Sequence, residues 1–177
     1  MAPKYIKLEN RGIISVGGPD ASSFLQGLIS NDINKVDDTN TIYSAMLTPQ
    51  GKFLHDFMIS SWKKHYLIDC ESLRIKDLGG RLANYKLRAD VELLNATEDW
   101  EVIAVIGGQT EHLFDLGSKS GMTGKLGEEG LIYRDPRPAM PGFRVLLPRL
   151  QGTQFLEDHN ITPGSMDDYE HARILAC

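Results

Sequence analysis

The segment from Phe53 to Ser60 constrains this chain more than any other, because it reads as a β-strand with an acid inside it. Alternation puts Phe53, His55, Phe57 and Ile59 on one face and Leu54, Asp56 and Met58 on the other. Both sets are largely apolar, so the strand is expected to be covered on both sides. Ile42 to Leu47 reads as the strand before it. Between them, Thr48-Pro49-Gln50-Gly51 carries Pro second and Gly fourth, as a type I turn prefers. Burying an ionised carboxylate is costly unless something pairs with it. Asp56 is therefore either half of an ion pair or part of a ligand pocket.

The elements around this hairpin set the fold class. Ile13 to Val16 is a short apolar strand, and Pro19-Asp20 opens a helix with Phe24, Leu25, Leu28 and Ile29 on one face. His65 to Cys70 extends the sheet. A helix from about Ser72 carries Ile75, Leu78, Leu82 and Tyr85 at three- and four-residue steps. Gly79-Gly80 weakens it, an arrangement expected to admit a close neighbour. Val91 to Leu94, Trp100 to Ile106, Leu131 to Arg134 and Phe143 to Leu147 read as strands. Helices are expected over Gln109 to Leu116, Gln151 to Asp158 and from Ser165 onward, with a Gly/Ser/Lys-rich loop over Gly117 to Gly130. Helices interrupt antiparallel hairpins instead of alternating with strands, so the class is α+β, antiparallel sheets with helices packed on them. Subdomains are expected at roughly 1–95 and 96–160, followed by a final helix at 165–177. Ser165 and Asp168 start that helix as a capping box. No stop signal follows before Cys177, so the chain reads as cut short within an element.

Charge and motif spacing exclude several chemistries. A net charge of −5 and an isoelectric point near 5.5 argue against a general binder of nucleic acid or anionic membrane. No apolar run approaches the ~20 residues of a membrane span, and Met1 to Lys7 lacks the apolar core of a targeting signal. Two cysteines, Cys70 and Cys177, make no disulfide framework. A reducing compartment, the cytoplasm, is the expectation. The Gly117 to Leu126 stretch fails as a phosphate-binding loop, with Lys119 where the first Gly belongs and Leu126 where Ser or Thr would bind magnesium. The five histidines are dispersed and no metal site is expected; a serine-nucleophile elbow is absent. What remains is Asp56, Arg88 within Tyr85-Lys86-Leu87-Arg88, and the run from Arg134 through Asp135-Pro136-Arg137 to Arg144. Each also has a structural reading, as a carbonyl-binding arginine or a turn closed by a salt bridge.

Several pieces taken in order carry a family resemblance. They are Gly18-Pro19-Asp20-Ala21 with Phe24-Leu25-Gln26-Gly27 and Asn31-Asp32, the hairpin Gly51-Lys52-Phe53-Leu54-His55-Asp56, and Tyr85-Lys86-Leu87-Arg88. Asp135-Pro136-Arg137, Met140-Pro141-Gly142-Phe143-Arg144 and Tyr169-Glu170-His171-Ala172-Arg173-Ile174 complete the set. Together they resemble the folate-binding YgfZ-type proteins, relatives of the glycine-cleavage T-protein (aminomethyltransferase), and in particular the branch of the iron–sulfur cluster assembly factor.

The resemblance implies ferredoxin-like subdomains of the aminomethyltransferase fold around a tetrahydrofolate. It implies a protein supporting folate-dependent iron–sulfur cluster assembly or repair and tRNA modification, with iron–sulfur enzymes as partners and no direct contact with nucleic acid or membrane. Carried onto this sequence, it puts Asp56 on the pterin edge, Tyr169 stacking on the ring, and Arg88 or Arg144 facing the anionic tail. If any residue is catalytic, it is Asp56. The T-protein hairpin has two adjacent acids, whereas position 55 here is His; an accessory folate-binding role on a transferase fold is thus expected over aminomethyl transfer. An aromatic residue of the family falls at Arg11. The hallmark Lys-Gly-Cys-Tyr-x-Gly-Gln-Glu and the C-terminal barrel are absent from this sequence, which leaves a ligand-free remnant as a third reading.

Overall fold

A computed structural model describes residues 2–108, 114, 116–149, 156 and 158–176. Its strands are β1 Lys4–Lys7, β2 Arg11–Gly17, β3 Ile42–Leu47, β4 Phe53–Trp62, β5 His65–Glu71, β6 Glu92–Asn95, β7 Trp100–Ile106, β8 Thr123–Leu126, β9 Gly130–Arg134, β10 Phe143–Pro148 and β11 Thr162–Pro163. Its α-helices are α1 Ala21–Gln26, α2 Ile75–Lys86 and α3 Met166–Leu175. The chain forms two units, one of Asn10–Thr97 and one joining Met1–Glu9 to Glu98–Cys177. The first nine residues, expected with the first subdomain, thus belong to the second unit, where β1 pairs antiparallel with β7. The helices expected over Gln109 to Leu116 and Gln151 to Asp158 lie largely outside the described residues.

The unit of Asn10–Thr97 is a five-stranded antiparallel sheet in the order β3-β4-β5-β2-β6. From His55 onward the expected alternation of β4 holds, whereas Phe53 is 59% exposed and Leu54 packs against the same core as Phe57. His55, Phe57 and Ile59 point toward the core that Ile14, Val16, Ile68, Leu25, Leu78 and Leu82 build under α1 and α2. Met58 on the opposite face is also buried, as are Ile13 and Leu67. In α2 the buried residues are Ile75, Leu78 and Leu82, while Tyr85 is 53% exposed. No close neighbour explains Gly79-Gly80: an added Cβ meets ordinary van der Waals distance at Gly79 and open space at Gly80. At α1, Asp20 makes no side-chain bond to its own helix. Its carboxylate accepts instead from the backbone N–H of Asp90, tying the helix start to the segment before β6.

The other unit holds a six-stranded sheet in the order β11-β1-β7-β10-β9-β8, antiparallel except for the β1–β11 pair. Ile103, Val105, Phe143, Val145, Leu147 and Ile132 fill its core. The segment expected as a loop from Gly117 to Gly130 contains β8, which folds back on β9 through a tight turn with Gly127 at a φ of +62°. Thr-Gly-Lys-Leu offers too little apolar alternation to announce a strand; its pairing with β9 makes it one. The β9–β10 connection turns at Gly142, φ +91°, where a Cβ would run into the Val105 carbonyl. Only glycine fits so close to that backbone. Helix α3 begins with the expected capping box. Ser165 Oγ accepts from the Asp168 N–H, and the Asp168 carboxylate accepts from the Ser165 N–H.

Candidate functional site

The hairpin presents Asp56 with one oxygen committed. In the β3–β4 register Asp56 stands opposite Ala45, and Tyr43 stands opposite Met58 on the same face. The small Ala45 leaves room beside the carboxylate, and the diagonal Tyr43 reaches across it. Its hydroxyl donates to Asp56 Oδ2 at 2.9 Å. Asp56 is half-buried and makes no ion pair with the described residues. Oδ1 has no hydrogen-bond partner among the described residues. The phenol therefore fixes the carboxylate and leaves one oxygen for an outside donor.

The neighbours of Asp56 are otherwise engaged. His55 points into the core face, where its Nε2 pairs with Asp77 Oδ2 at 2.7 Å; Arg81 Nε donates to the same oxygen at 2.8 Å. The Arg81 hydrogen bond, with that of His55 behind it, holds the Asp77 carboxyl below the usual range. Arg11, at the position of the family aromatic, donates Nε to buried Asp69 Oδ1 at 2.6 Å and Nη2 to the Asp69 carbonyl at 2.7 Å. Arg88 follows α2 as an exposed residue with no hydrogen bond or ion pair among the described residues. Nothing in its own unit aims it at a ligand.

Tyr169 and Arg144 lie in the other unit, and the structure brings them together. Arg144 sits on β10, on the face opposite Phe143 and Val145, and is 1% exposed. Its Nη2 donates to Tyr169 Oη at 2.7 Å and its Nε reaches Asp135 Oδ2 at 3.4 Å. Arg137 grips Asp135 with two bonds, Nε to Oδ1 at 2.9 Å and Nη2 to Oδ2 at 2.7 Å. The same Nη2 donates to Tyr169 Oη at 3.0 Å. Burial works against the Arg137 charge, but the Asp135 carboxylate outweighs it and raises the guanidinium pKa above its ordinary value. The side chains of Tyr169 and Arg144 are both enclosed in this structure. Tyr169 is 4% exposed and offers no open face for stacking. Arg144 is enclosed and holds Tyr169 in place instead of facing an anion.

Tyr43 is the residue that sequence reasoning did not single out; Asp135 and Arg137 lay in the run it quoted, whose reading as a turn closed by a salt bridge matches the Asp135–Arg137 pair. A further signal for Asp135 was an arginine in the apolar run Phe143-Arg144-Val145-Leu146-Leu147, which needs a buried acid. Asp135 is the acid within the quoted run. Elsewhere in that unit, a cavity of about 590 Å3 is lined by Lys4, Ile106, Gly107, Pro141, His171 and Leu175 among others, and none of the expected site residues lines it. Among the described residues no cluster of His, Cys, Asp or Glu could hold a metal, and no helix is long and apolar enough to cross a membrane.

Comparison with known proteins adds a lineage to this geometry. The signature of the GCVT N-terminal domain matches residues 6–120. The chain is 32% identical over 183 residues to the mitochondrial iron–sulfur cluster assembly factor IBA57 homolog of Neurospora crassa, covering 96% of this chain and 39% of that protein. It is 34% identical over 148 residues to the protein of the same name from Pyricularia oryzae, covering 81% and 36% respectively. The chain thus spans well under half the length of these two relatives. In fold it is similar to the glycine cleavage system aminomethyltransferase T of Bartonella henselae, with a TM-score of 0.74 at 15% identity, over 89% of this chain and 45% of that one. The heterotetrameric sarcosine oxidase of a Corynebacterium species aligns with a TM-score of 0.59 at 8% identity, over 93% and 87%. At these identities the likeness is one of fold. The expectation of a cytoplasmic protein is corrected by the relatives, which are named mitochondrial. A cysteine count without a disulfide framework has no power to separate two reducing compartments, cytoplasm and matrix.

Proposed function

The chain belongs to the GCVT N-terminal domain family, and on that footing we propose that it is the folate-binding portion of a YgfZ-type protein that serves iron–sulfur cluster assembly in a mitochondrial setting. The bound group is a tetrahydrofolate or a derivative of it. The ultimate beneficiaries are iron–sulfur enzymes, those that modify tRNA included. The relatives named as assembly factors support the setting.

One observation carries the ligand reading: Asp56 Oδ2 is held by Tyr43 while Oδ1 is uncommitted beside the small Ala45. A reduced pterin presents ring N–H and amino donors along one edge, and a fixed carboxylate oxygen in a half-buried, largely apolar setting is a suitable acceptor for them. Position 55 brings no second acid to this face, since His55 is turned into the core and tied to Asp77. Binding without group transfer is therefore the reading, with Asp56 as a holding residue.

Calorimetric titration of the chain with 5-formyltetrahydrofolate tests it. Saturable binding by the wild type, weakened at least tenfold in Asp56→Ala, is expected. No saturable binding, or equal binding by the variant, refutes it.

A further inference from the structure

Tyr169 poses a hydrogen-bond problem that the described residues do not solve. Its oxygen accepts from two cations, Arg144 Nη2 at 2.7 Å and Arg137 Nη2 at 3.0 Å. A phenol oxygen that accepts twice still carries its own proton, which must point to a third partner. No acceptor for it exists among the described residues, although the side chain is more than nine-tenths buried. Buried hydroxyl donors are nearly always satisfied. The missing group is an acceptor.

Arg137 has a matching vacancy. Its Nε and Nη2 are spent on Asp135, and Nη2 also serves Tyr169. Nη1 has no partner among the described residues. The guanidinium cannot swing away to find one, because Asp135 grips it from one side and accepts the Arg137 backbone N–H as well. Its side chain is 19% exposed, so solvent reaches this corner. Two donors, one of them cationic, thus flank the Arg137 Nη2–Tyr169 Oη hydrogen bond, and neither has an acceptor among the described residues.

We propose that Tyr169 Oη–H and Arg137 Nη1–H form an oxyanion-binding site that takes one carboxylate or phosphate group of a small molecule. Arg144 and Asp135 are positioning residues: the first fixes the tyrosine oxygen, the second the plane of the guanidinium. Charge-assisted bonds to a preset donor pair favour an anion over water. The site does not depend on the folate reading, because its test uses anions without a ring.

The full chain is titrated calorimetrically with glutarate and, separately, with inorganic phosphate in low-chloride buffer. Saturable one-to-one binding of either anion by the wild type is expected, and the stronger of the two identifies the natural group as carboxylate or phosphate. Arg137→Gln weakens it at least tenfold, and Tyr169→Phe, which removes the hydroxyl alone, at least threefold. Where Tyr169→Phe does not fold, as judged by circular dichroism, Arg137→Lys decides. It keeps the charge and loses the fork, so its affinity stays at least fivefold below wild type. Absence of saturable binding of both anions, or wild-type affinity in Arg137→Gln, overturns the proposal.

Discussion

Replacing Asp135 by Asn tests whether this carboxylate is the keystone of its unit. Asp135 is 2% exposed and accepts from Arg137 Nε, Nη2 and backbone N–H, with Arg144 Nε at 3.4 Å. Asn keeps the shape and one acceptor oxygen but removes the charge between two guanidinium groups. Removing one partner of a buried ion pair costs about 3–5 kcal/mol; the retained oxygen puts this case near the lower end. With a urea slope of about 1.5 kcal/mol per molar, the midpoint should fall by about 2 M. Trp62→Phe removes the fluorophore of the Asn10–Thr97 unit, so that Trp100 on β7 reports the other unit alone. Glu98→Gln supplies the contrast. Its partner Arg149 is 3.9 Å away, both groups are well exposed, and such a pair contributes less than about 0.5 kcal/mol. A shift below about 0.5 M for Asp135→Asn, or one no larger than that of Glu98→Gln, would refute the reasoning.

Two glycines should respond with opposite signs. Gly142→Ala places a Cβ against the Val105 carbonyl at φ +91° and should cost at least about 1 kcal/mol in the same urea assay; Gly80→Ala, with open space around it in α2, should gain about 0.5–1 kcal/mol in a urea titration read by Trp62 of its own unit in a Trp100→Phe background. Burial, aided by the Asp69 charge, pushes the Cys70 thiol up to about 12, so in a Cys177→Ser background a disulfide reagent at pH 8 should leave the native protein unmodified until urea unfolds it. Asp168 is held down to about 2, against an ordinary 3.8, first by the Ser165 backbone N–H and then by Lys4. A lowered carboxyl pKa stabilises the folded state above the ordinary value and stops doing so as pH falls through the folded one. The urea-midpoint gap between wild type and Asp168→Asn should therefore close between pH 5 and pH 2, and a constant gap would sink that assignment.

Much of the Asn10–Thr97 unit was legible because its signals are local. The β3–β4 hairpin has a turn with Pro and Gly in their preferred places, and β4 alternates from His55 onward, so the faces of His55 and Asp56 follow from counting. What counting cannot supply is a partner from a neighbouring strand. Tyr43 meets Asp56 only through the register that sets Ala45 opposite the acid. The same limit hid β8, whose four residues become a strand by pairing with β9, and β1, whose partner β7 lies almost a hundred residues away. In the other unit the motif from Asp135 to Arg144 drew notice for its residue types, and its geometry sets its two arginines apart. Arg144, central in an apolar strand, is locked inside, while Arg137, placed in the connecting loop, keeps an unspent edge. Helix spacing located Tyr169 on α3 but not the two cations that claim its oxygen.

The central claim concerns one carboxylate oxygen, and carbon NMR reads it directly. With 13C-labelled aspartate in the chain and the Asp56 carboxyl resonance assigned through Asp56→Asn, tetrahydropterin is added to saturation. The account predicts a saturable shift of the Asp56 signal, larger than that of any other aspartate, and a comparable loss of affinity in Tyr43→Phe. A stationary Asp56 signal while the pterin binds elsewhere, or no binding at all, would contradict it.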